Sequence, residues 1–290
     1  DRANAGDRVV LLPGLYLGTH VLAHGGTREA PIVIEASQPG EATLDGLQIP
    51  GSGSLLTIRK APHVVVRGLQ LRWFQSVQFG REAAGISIEE SPDVEVRDCE
   101  IWNGAWSNDR PVGIGIHVVD SPGVAIDGCV VYAVDIGIQL LRSPSFRITG
   151  NTVAMAFHHG VRLIDSARGG VLERNSLAFA GSYLLTLRAT PEELASFRSD
   201  RNNLAAHVQR PLPEDLLRRR RSKAVARWND RRFSDLAEWQ AATGQDTHSI
   251  QMDPRYVDPE RRDFHLLPGS PNIPEGLSLE RIGGRGAGAT

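Results

Sequence analysis

An internal repeat constrains this fold more than any other feature of the sequence. Four segments align with one another from their first residues: GISIEESPDVEVRDCEI at 85–101, GIHVVDSPGVAIDGCVV at 115–131, GIQLLRSPSFRITGNTV at 137–153 and GVRLIDSARGGVLERNSL at 160–177. A similar segment at 55–71 precedes them, and a degenerate one at 184–204 follows. A chain with such a repeat stacks equivalent units and does not wrap around one irregular core.

The spacing of the repeats separates a rigid part from a part that accepts insertions. An eight-residue spacing recurs from Ala61 to Leu69, Ser91 to Cys99, Ser121 to Cys129 and Ser143 to Asn151, whereas the distance to the next repeat varies. Within a unit, apolar residues alternate with polar ones, as at Ile86, Ile88, Val94 and Val96. The pattern predicts a parallel β-helix with three short strands per coil, because strands must keep register while one exposed turn can lengthen.

Composition and charge narrow the class of protein further. The 290 residues are 41% hydrophobic but only 6% aromatic, so the core must be built mainly from Val, Ile, Leu and Ala. No 3.6-residue periodicity occurs between 31 and 187, which disfavours a globular α/β fold. The formal net charge of −2 predicts no nucleic-acid partner, and no stretch reaches the ~18 apolar residues of a membrane span.

Three further segments carry a resemblance to a known family. They are GDRVVLLPGLYLG at 6–18, GGTREAPIVIEASQPGEATLDG at 25–46 and DFHLLPGSPNI at 263–273. Together with the repeats, they resemble bacterial right-handed parallel β-helix proteins of the pectate-lyase-like superfamily, especially chondroitinase-B-like and alginate lyases and exo-acting pectate lyases. The resemblance implies an all-β fold, an acidic polysaccharide as partner, and a secreted or periplasmic protein whose signal peptide was removed before this numbering.

The resemblance also fixes the identity of the turns and strands. It implies a stacked-asparagine turn between the second and third strands, formed by Asn151, Asn175 and Asn202 in line with Cys99 and Cys129. The segments that begin at the repeat glycines then become the first strand of each coil, whose outer face carries the polysaccharide groove in that family.

The outer face of the first strand supplies the candidate catalytic residues. By alternation, one outward row should contain Thr57, Ser87, His117, Gln139, Arg162 and Thr186. Asp135 and His158 occupy equivalent positions just before the strand in two adjacent coils. A lyase or C5-epimerase needs a base to remove the C5 proton of a uronate and a cation to neutralise its carboxylate. We therefore predict catalytic roles for His117, Arg162, His158 and Asp135.

Candidate substrate-binding residues lie in the same row and in the turns beside it. They are Gln139, Ser87, Trp106, Asp109, Arg110 and Arg142. An ordinary solvated outer face would also place polar residues in this row, and Trp106 could cover the core under its insertion. A non-catalytic polysaccharide-binding or structural β-helix is accordingly the alternative to an enzyme.

Other chemistries have weaker support. We predict no cofactor, because the acidic residues that could bind calcium (Glu89, Glu90, Asp120, Asp135 and Asp165) occupy scattered repeat positions. A glycoside hydrolase that pairs Asp135 with Asp120 or Asp165 is a second alternative. The only lysines are Lys60 and Lys223, so the lysine base of several resembling lyases has no carrier in the central row.

The remaining expectations concern organisation. The β-helix with its N-terminal cap should span 1–209, a basic, partly helical segment and cap 210–282, and a flexible tail 283–290. A helix at 234–243, capped by Ser234, should pack on the last coil. Trp73 and His159 have the parity of inward-facing residues, and we expect His159 to be a partly buried turn residue. Cys99 and Cys129 should be buried thiols, and the protein a monomer.

Overall fold

The chain winds into a single-stranded parallel β-helix, which confirms the predicted fold. The computed structural model describes residues 3–47, 53–74, 82–103, 106–107, 110–111, 113–206 and 224–273. Each coil contributes one strand to each of three sheets of nine, eight and eight strands. Successive coils pair in parallel, with consistent register along each sheet.

The first sheet carries the central row predicted from the sequence. Its strands are His20–Leu22, Leu56–Arg59, Ala84–Glu89, Ile114–Val119, Ile136–Leu141, His159–Ile164, Tyr183–Arg188, Ala224–Trp228 and the antiparallel Arg231–Phe233. The strand Ala224–Trp228 extends this sheet beyond the last recognisable repeat. The coil therefore continues after the point at which the sequence pattern ends.

The second and third sheets complete each coil. The second comprises Arg8–Leu11, Ile32–Ala36, Val64–Arg67, Glu95–Arg97, Ala125–Asp127, Arg147–Thr149, Val171–Glu173 and Arg198–Asp200. The third comprises Gly14–Leu17, Ala42–Asp45, Gln70–Arg72, Glu100–Trp102, Val130–Tyr132, Thr152–Ala154, Ser176–Ala178 and Asn203–Ala205. Inward side chains of all three sheets form one apolar core dominated by Val, Ile and Leu.

Two ladders of buried polar side chains hold the coils in register. In the turn between the second and third strands, the backbone N–H groups of Cys129, Asn151 and Asn175 donate to Oδ1 of the asparagine in the next coil, at 2.8–3.0 Å. Both cysteines in line with this ladder are free, buried thiols. The predicted asparagine stack therefore exists, and it ends at Asn202.

The second ladder explains the recurrent serine of the S-P motif. In the turn after the first strand, Oγ of Ser121 accepts a hydrogen bond from the backbone N–H of Ser91 at 2.8 Å. The same Oγ donates to the carbonyl of Val119 at 2.8 Å. Ser143 and Ser166 repeat both bonds in the following coils. Each serine thus satisfies buried backbone groups of two coils at once.

The repeat glycine interrupts the alternation of the first strand. A Cβ on Gly137 would lie 2.3 Å from Cγ1 of Val153, so this residue faces the core and has no room for a side chain. The next residue, Ile138, is also in the core, whereas Ile136 belongs to a separate small cluster with Ile114. The strand is therefore bent at the glycine, and residues before it face outward.

Trp73 lies outside the core, where the sequence predicted it inside, because its backbone is left-handed. Trp73, Ala133, Met155 and Phe179 each follow the third strand of a coil with a left-handed backbone, φ 52–62°. This conformation breaks the in–out alternation, so Trp73 is partly exposed and packs edge-to-face on Trp102. Met155 and Phe179 are buried under the C-terminal segment and not inside the coils.

The C-terminal segment closes one end and one side of the solenoid. A helix spans Leu236–Thr243, ends at left-handed Gly244 and is capped by Asp235, one residue after the predicted Ser234. Trp239 of this helix is fully buried, and its Nε1–H donates to Asp246. A shorter helix spans Pro191–Ser196, a 3-10 turn Pro259–Arg261, and an antiparallel pair joins Tyr256–Asp258 to Asp263–Leu266.

Two of the expectations on organisation concern residues outside the described ranges. The boundary at 209–210 falls within 207–223, and the predicted tail lies within 274–290. In the part of the chain that is described, no helix is long and apolar enough to cross a membrane.

Candidate functional site

The outward row of the first sheet lies in register as the alternation predicts. Thr57, Ser87, His117, Gln139, Arg162 and Thr186 are lateral neighbours in six successive coils. Adjacent strands are ~4.8 Å apart, so the row spans several neighbouring sugar-sized positions. The row is the scaffold on which the polar side chains described below converge.

Arg162 is bonded to a neutral amide in this row and not to a carboxylate. Its Nη1 donates to Oε1 of Gln139 at 3.0 Å. Within the described residues no carboxylate forms an ion pair with Arg162, whereas Arg59, Arg142 and Arg188 on the same sheet each pair with one. The guanidinium is partly exposed. It is therefore a cation held in place and still available to an anion.

Gln139 connects Arg162 to an acidic residue that sequence reasoning missed. Its Nε2 donates to Oε2 of Glu82 at 3.1 Å, and the side chain is only 2% exposed. Glu82 lies two residues before the strand Ala84–Glu89, in the variable turn between coils. The turn lies outside the strand pairing, so the register of the repeat could not place Glu82 beside Gln139, two coils away.

His117 lies next to Gln139 and has an unusual environment. Its Nε2 is buried and makes no hydrogen bond within the described part of the chain. Burial lowers the pKa of His117, the nearby carboxylates of Glu82 and Glu89 oppose this, and the Arg162 guanidinium lowers it further. The imidazole is thus biased towards its neutral form, which can accept a proton.

Ser87, on the other side of His117, is occupied by local partners. Its Oγ donates to Oε1 of Glu89 at 2.9 Å, and Oε2 of Glu89 accepts from Arg59 at 2.7 Å. Ser87 is 3% exposed. A direct contact with a ligand, as predicted for Ser87, would require this bond to open.

His158 and Asp135 form a close pair, as their equivalent positions predicted. Nδ1 of His158 lies 2.6 Å from Oδ1 of Asp135, and the His158 backbone N–H donates to the Asp135 carbonyl. The His158 side chain is 41% exposed, which leaves the ring accessible. The pair lies at the start of the first strand, four residues before Arg162, so roughly 13 Å of extended strand separates them.

His159 links the two groups, and its predicted orientation was wrong. Because the strand bends at Gly160, His159 faces outward; its Nδ1 lies 3.0 Å from Oγ1 of Thr186 and its ring stacks on Tyr183. Burial lowers its pKa to about 4, and Arg162 and His158 act in the same direction. The partial burial was predicted, but its place in the strand was not.

Arg142 lies away from this cluster. It is the first residue after the strand Ile136–Leu141, and both Nε and Nη2 bond to Asp120 at 2.7 Å. This exposed ion pair recurs in the next coils as Asp165 with Arg188. The substrate contact predicted for Arg142 stays a prediction. It would have to compete with the ion pair that Arg142 forms with Asp120.

The carboxylates named for other chemistries do not assemble into a site. Asp135 precedes its strand, while Asp120 and Asp165 follow theirs, so roughly 20 Å separates them, well beyond the about 9.5 Å of an inverting glycosidase. Glu89, Asp120 and Asp165 are bonded to arginines. Among the described residues, no three His, Cys, Asp or Glu side chains are grouped to hold a metal ion, so these acids do not fit a calcium site.

Three predicted substrate-binding residues cannot be placed. Asp109 and the side chains of Trp106 and Arg110 lie outside the described residues. The backbone of this insertion forms a short antiparallel pair of Trp106–Ser107 with Arg110–Pro111. Their roles stay predictions.

Comparison with known proteins bears on the fold. Residues 33–187 match the family described as the right handed beta helix region. Pectate lyase Pel9A is 13% identical, with 93% of this chain and 83% of that chain covered at a TM-score of 0.50. An alginate lyase from Paenibacillus sp. str. FPU-7 is 14% identical, with 78% and 74% covered at 0.52. No curated protein matches the sequence.

Proposed function

Because this chain belongs to the right-handed beta helix family, whose fold displays one long outer face per sheet, we propose that it acts on a uronate-containing polysaccharide bound along its first sheet. The observation that supports this most is Arg162, a partly exposed cation with no carboxylate partner among the described residues, two coils from His117 in the same row. The names of the similar structures, a pectate lyase and an alginate lyase, agree with this substrate class.

The reaction that these two residues support is proton abstraction at C5. Arg162 binds the carboxylate of the uronate, which makes the C5 proton more acidic because charge delocalised onto the carboxylate is neutralised. Neutral His117 takes this proton through Nε2, which has no hydrogen-bond partner among the described residues; because this atom is buried, the imidazole has to turn towards the substrate to present it.

Two outcomes follow from the resulting carbanion. In elimination, the C5 electron pair forms a C4–C5 double bond, the C4–O4 bond breaks, and the His117 imidazolium returns its proton to O4. In epimerisation, C4–O4 stays intact, a solvent proton is delivered to the opposite face of C5, and the His117 imidazolium releases its proton to solvent. The chain thus acts as a lyase or a C5-epimerase, and an exported location would expose it to such polymers.

His158 and Asp135 fit a neighbouring position in the groove. Four residues separate His158 from Arg162 along the chain, and His159 lies between the two groups. We assign the exposed His158 ring to the adjoining sugar, with Asp135 fixing its orientation. A binding module without turnover would use the same contacts, and the experiment below separates the two.

The test is incubation with a panel of uronate polymers in deuterated buffer. Ultraviolet absorbance reports unsaturated products, and NMR reports deuterium incorporated at C5, so both outcomes of abstraction are detected. The proposal expects one of these signals with at least one polymer and its loss in His117→Gln and Arg162→Met. Saturable binding without either signal would establish the binding module, and neither binding nor turnover with any polymer would refute the proposal.

A further inference from the structure

Gln139 sits between the two residues to which the proposed function assigns chemistry. It is the lateral neighbour of both His117 and Arg162, and it is 2% exposed. Both ends of its amide are engaged, Oε1 by Arg162 and Nε2 by Glu82. A side chain so enclosed has no free polar atom to offer to a sugar.

The partners of Gln139 fix the orientation of its amide. A guanidinium only donates hydrogen bonds, so it must face Oε1, and a carboxylate accepts, so Glu82 must face the NH₂ group. Both contacts therefore demand the same one of the two amide orientations. The side-chain carbonyl of Gln139 therefore points at Arg162 in the single amide orientation that satisfies both contacts.

A neutral amide and a carboxylate have different effects on an arginine. Asp120 holds both Nε and Nη2 of Arg142 and neutralises its charge. Gln139 accepts from Nη1 of Arg162 alone, so the side chain is oriented while its charge and its other N–H groups remain available. Orientation without neutralisation is what a carboxylate-binding arginine requires.

We propose that Gln139, anchored by Glu82, is a positioning residue that orients the Arg162 guanidinium for a substrate carboxylate. The inference rests on the proposed function of Arg162 but concerns a residue that does not touch the substrate. Glu82 lies two residues before the strand Ala84–Glu89, so its contact with Gln139 links the start of this strand to a cation three coils further on.

The experiment compares Gln139→Glu and Gln139→Met with the parent protein. Gln139→Glu places a carboxylate beside Arg162, and we expect KM for the uronate polymer to rise about tenfold or more because the cation is now neutralised internally. Gln139→Met removes orientation but not charge, so kcat should fall with a smaller change in KM. Unchanged kinetic constants in both variants would overturn the proposal.

The third sheet offers a matched control. Gln70 also bridges two side chains, accepting from Oγ1 of Thr43 at 3.1 Å and donating to Oε2 of Glu100 at 3.0 Å, but it lies away from the first sheet. Gln70→Glu and Gln70→Met should leave kcat and KM unchanged. Equal losses from the Gln70 and Gln139 variants would reduce the role of Gln139 to general stability.

A second readout keeps this inference separate from the proposed function. The Arg162 side-chain N–H resonance, assigned by its loss in Arg162→Lys, should be sharp and slow to exchange in the parent protein and should broaden in Gln139→Met. It should persist in Gln70→Met. This measurement needs no substrate, so it tests the inference even if no polymer is turned over. An Arg162 signal that is the same in the parent protein and in Gln139→Met would contradict the positioning role of Gln139.

Discussion

Nδ1 of His158 lies 2.6 Å from Oδ1 of Asp135, in successive coils at the entrance to the first sheet. A second pair has the same geometry on another face, where Nδ1 of His248 lies 2.7 Å from Oδ2 of Asp200. Only the first pair neighbours the outward row of His117 and Arg162. The two pairs allow local chemistry to be separated from position.

Asp135→Asn should weaken binding of the polymer. The amide still fills the space but no longer stabilises one orientation and tautomer of His158, so we expect KM to rise about three- to tenfold, as for loss of one charged hydrogen bond. The change in kcat should be smaller, because the pair contacts the adjoining sugar. Steady-state kinetics check this, with Asp200→Asn as the control that should change neither constant.

His117→Gln should remove most of the activity without unfolding the protein. Loss of a general base costs about a hundredfold or more in kcat. In the parent protein, the acid limb of the kcat/KM profile should lie below the usual histidine pKa of about 6.5, because burial lowers the pKa of His117. A limb above that value, or activity that survives in His117→Gln, would exclude His117 as the base.

His159 should make the folded state less stable in acid. Its pKa is lowered from 6.5 to about 4 by burial, so between these values the unfolded chain binds a proton that the folded chain does not. Stability is fully present above pH 6.5 and declines as the pH falls towards 4, by at most about 3 kcal/mol, less in practice because the ring is partly exposed.

Urea unfolding across this pH range measures the effect. His159→Gln should flatten the decline in the free energy of unfolding relative to the parent, whereas His248→Gln, at a 72% exposed side chain, should not. The same slope in the parent protein and in His159→Gln would show that other groups set the acid sensitivity.

Ser121→Ala should destabilise the solenoid at its middle. The substitution leaves the buried backbone N–H of Ser91 without its acceptor, and an unsatisfied buried donor costs about 1–3 kcal/mol. Thermal and urea unfolding give the loss. Ser145→Ala changes an exposed serine in the neighbouring turn and should have little effect.

Cys129→Asn should be tolerated or stabilising. Cys129 occupies the ladder position before Asn151, and its Sγ lies 3.7 Å from the Val96 carbonyl, the group equivalent to the Ile126 carbonyl that Nδ2 of Asn151 binds at 2.9 Å. An asparagine can extend the ladder by one coil, with a gain of about 1 kcal/mol per net hydrogen bond. A large fall in melting temperature would show that the thiol packs where an amide does not fit.

The fold could be predicted from the sequence because the constant spacing between the turns determines the register of the strands. The eight residues from Ser121 to Cys129 fix two turns of each coil, and strand alternation then places His117, Gln139 and Arg162 in one row. The same rule failed at His159 and Trp73, because it assumes a regular strand. Gly160 bends one strand, and Trp73 adopts a left-handed backbone that a side-chain pattern does not reveal.

The site was only partly predictable for a related reason. His158 with Asp135, and His117 with Arg162, lie in repeated positions, so counting residues brought each pair together. Glu82 lies outside the paired strands, so the repeat does not give its side chain a partner, and its contact with Gln139 two coils away could not be read from the spacing.

The serine ladder has a consequence for how such a protein can diversify. Ser91, Ser121, Ser143 and Ser166 deliver the same two hydrogen bonds although 30, 22 and 23 residues separate them. In the coils of Ser91, Ser121 and Ser143, the difference in length is absorbed between the third strand and the first strand of the next coil, because eight residues always separate the serine from Cys99, Cys129 or Asn151. The turns that precede the first strand can therefore differ in length without disturbing the serine ladder, and these turns are positions at which new recognition loops can be grafted.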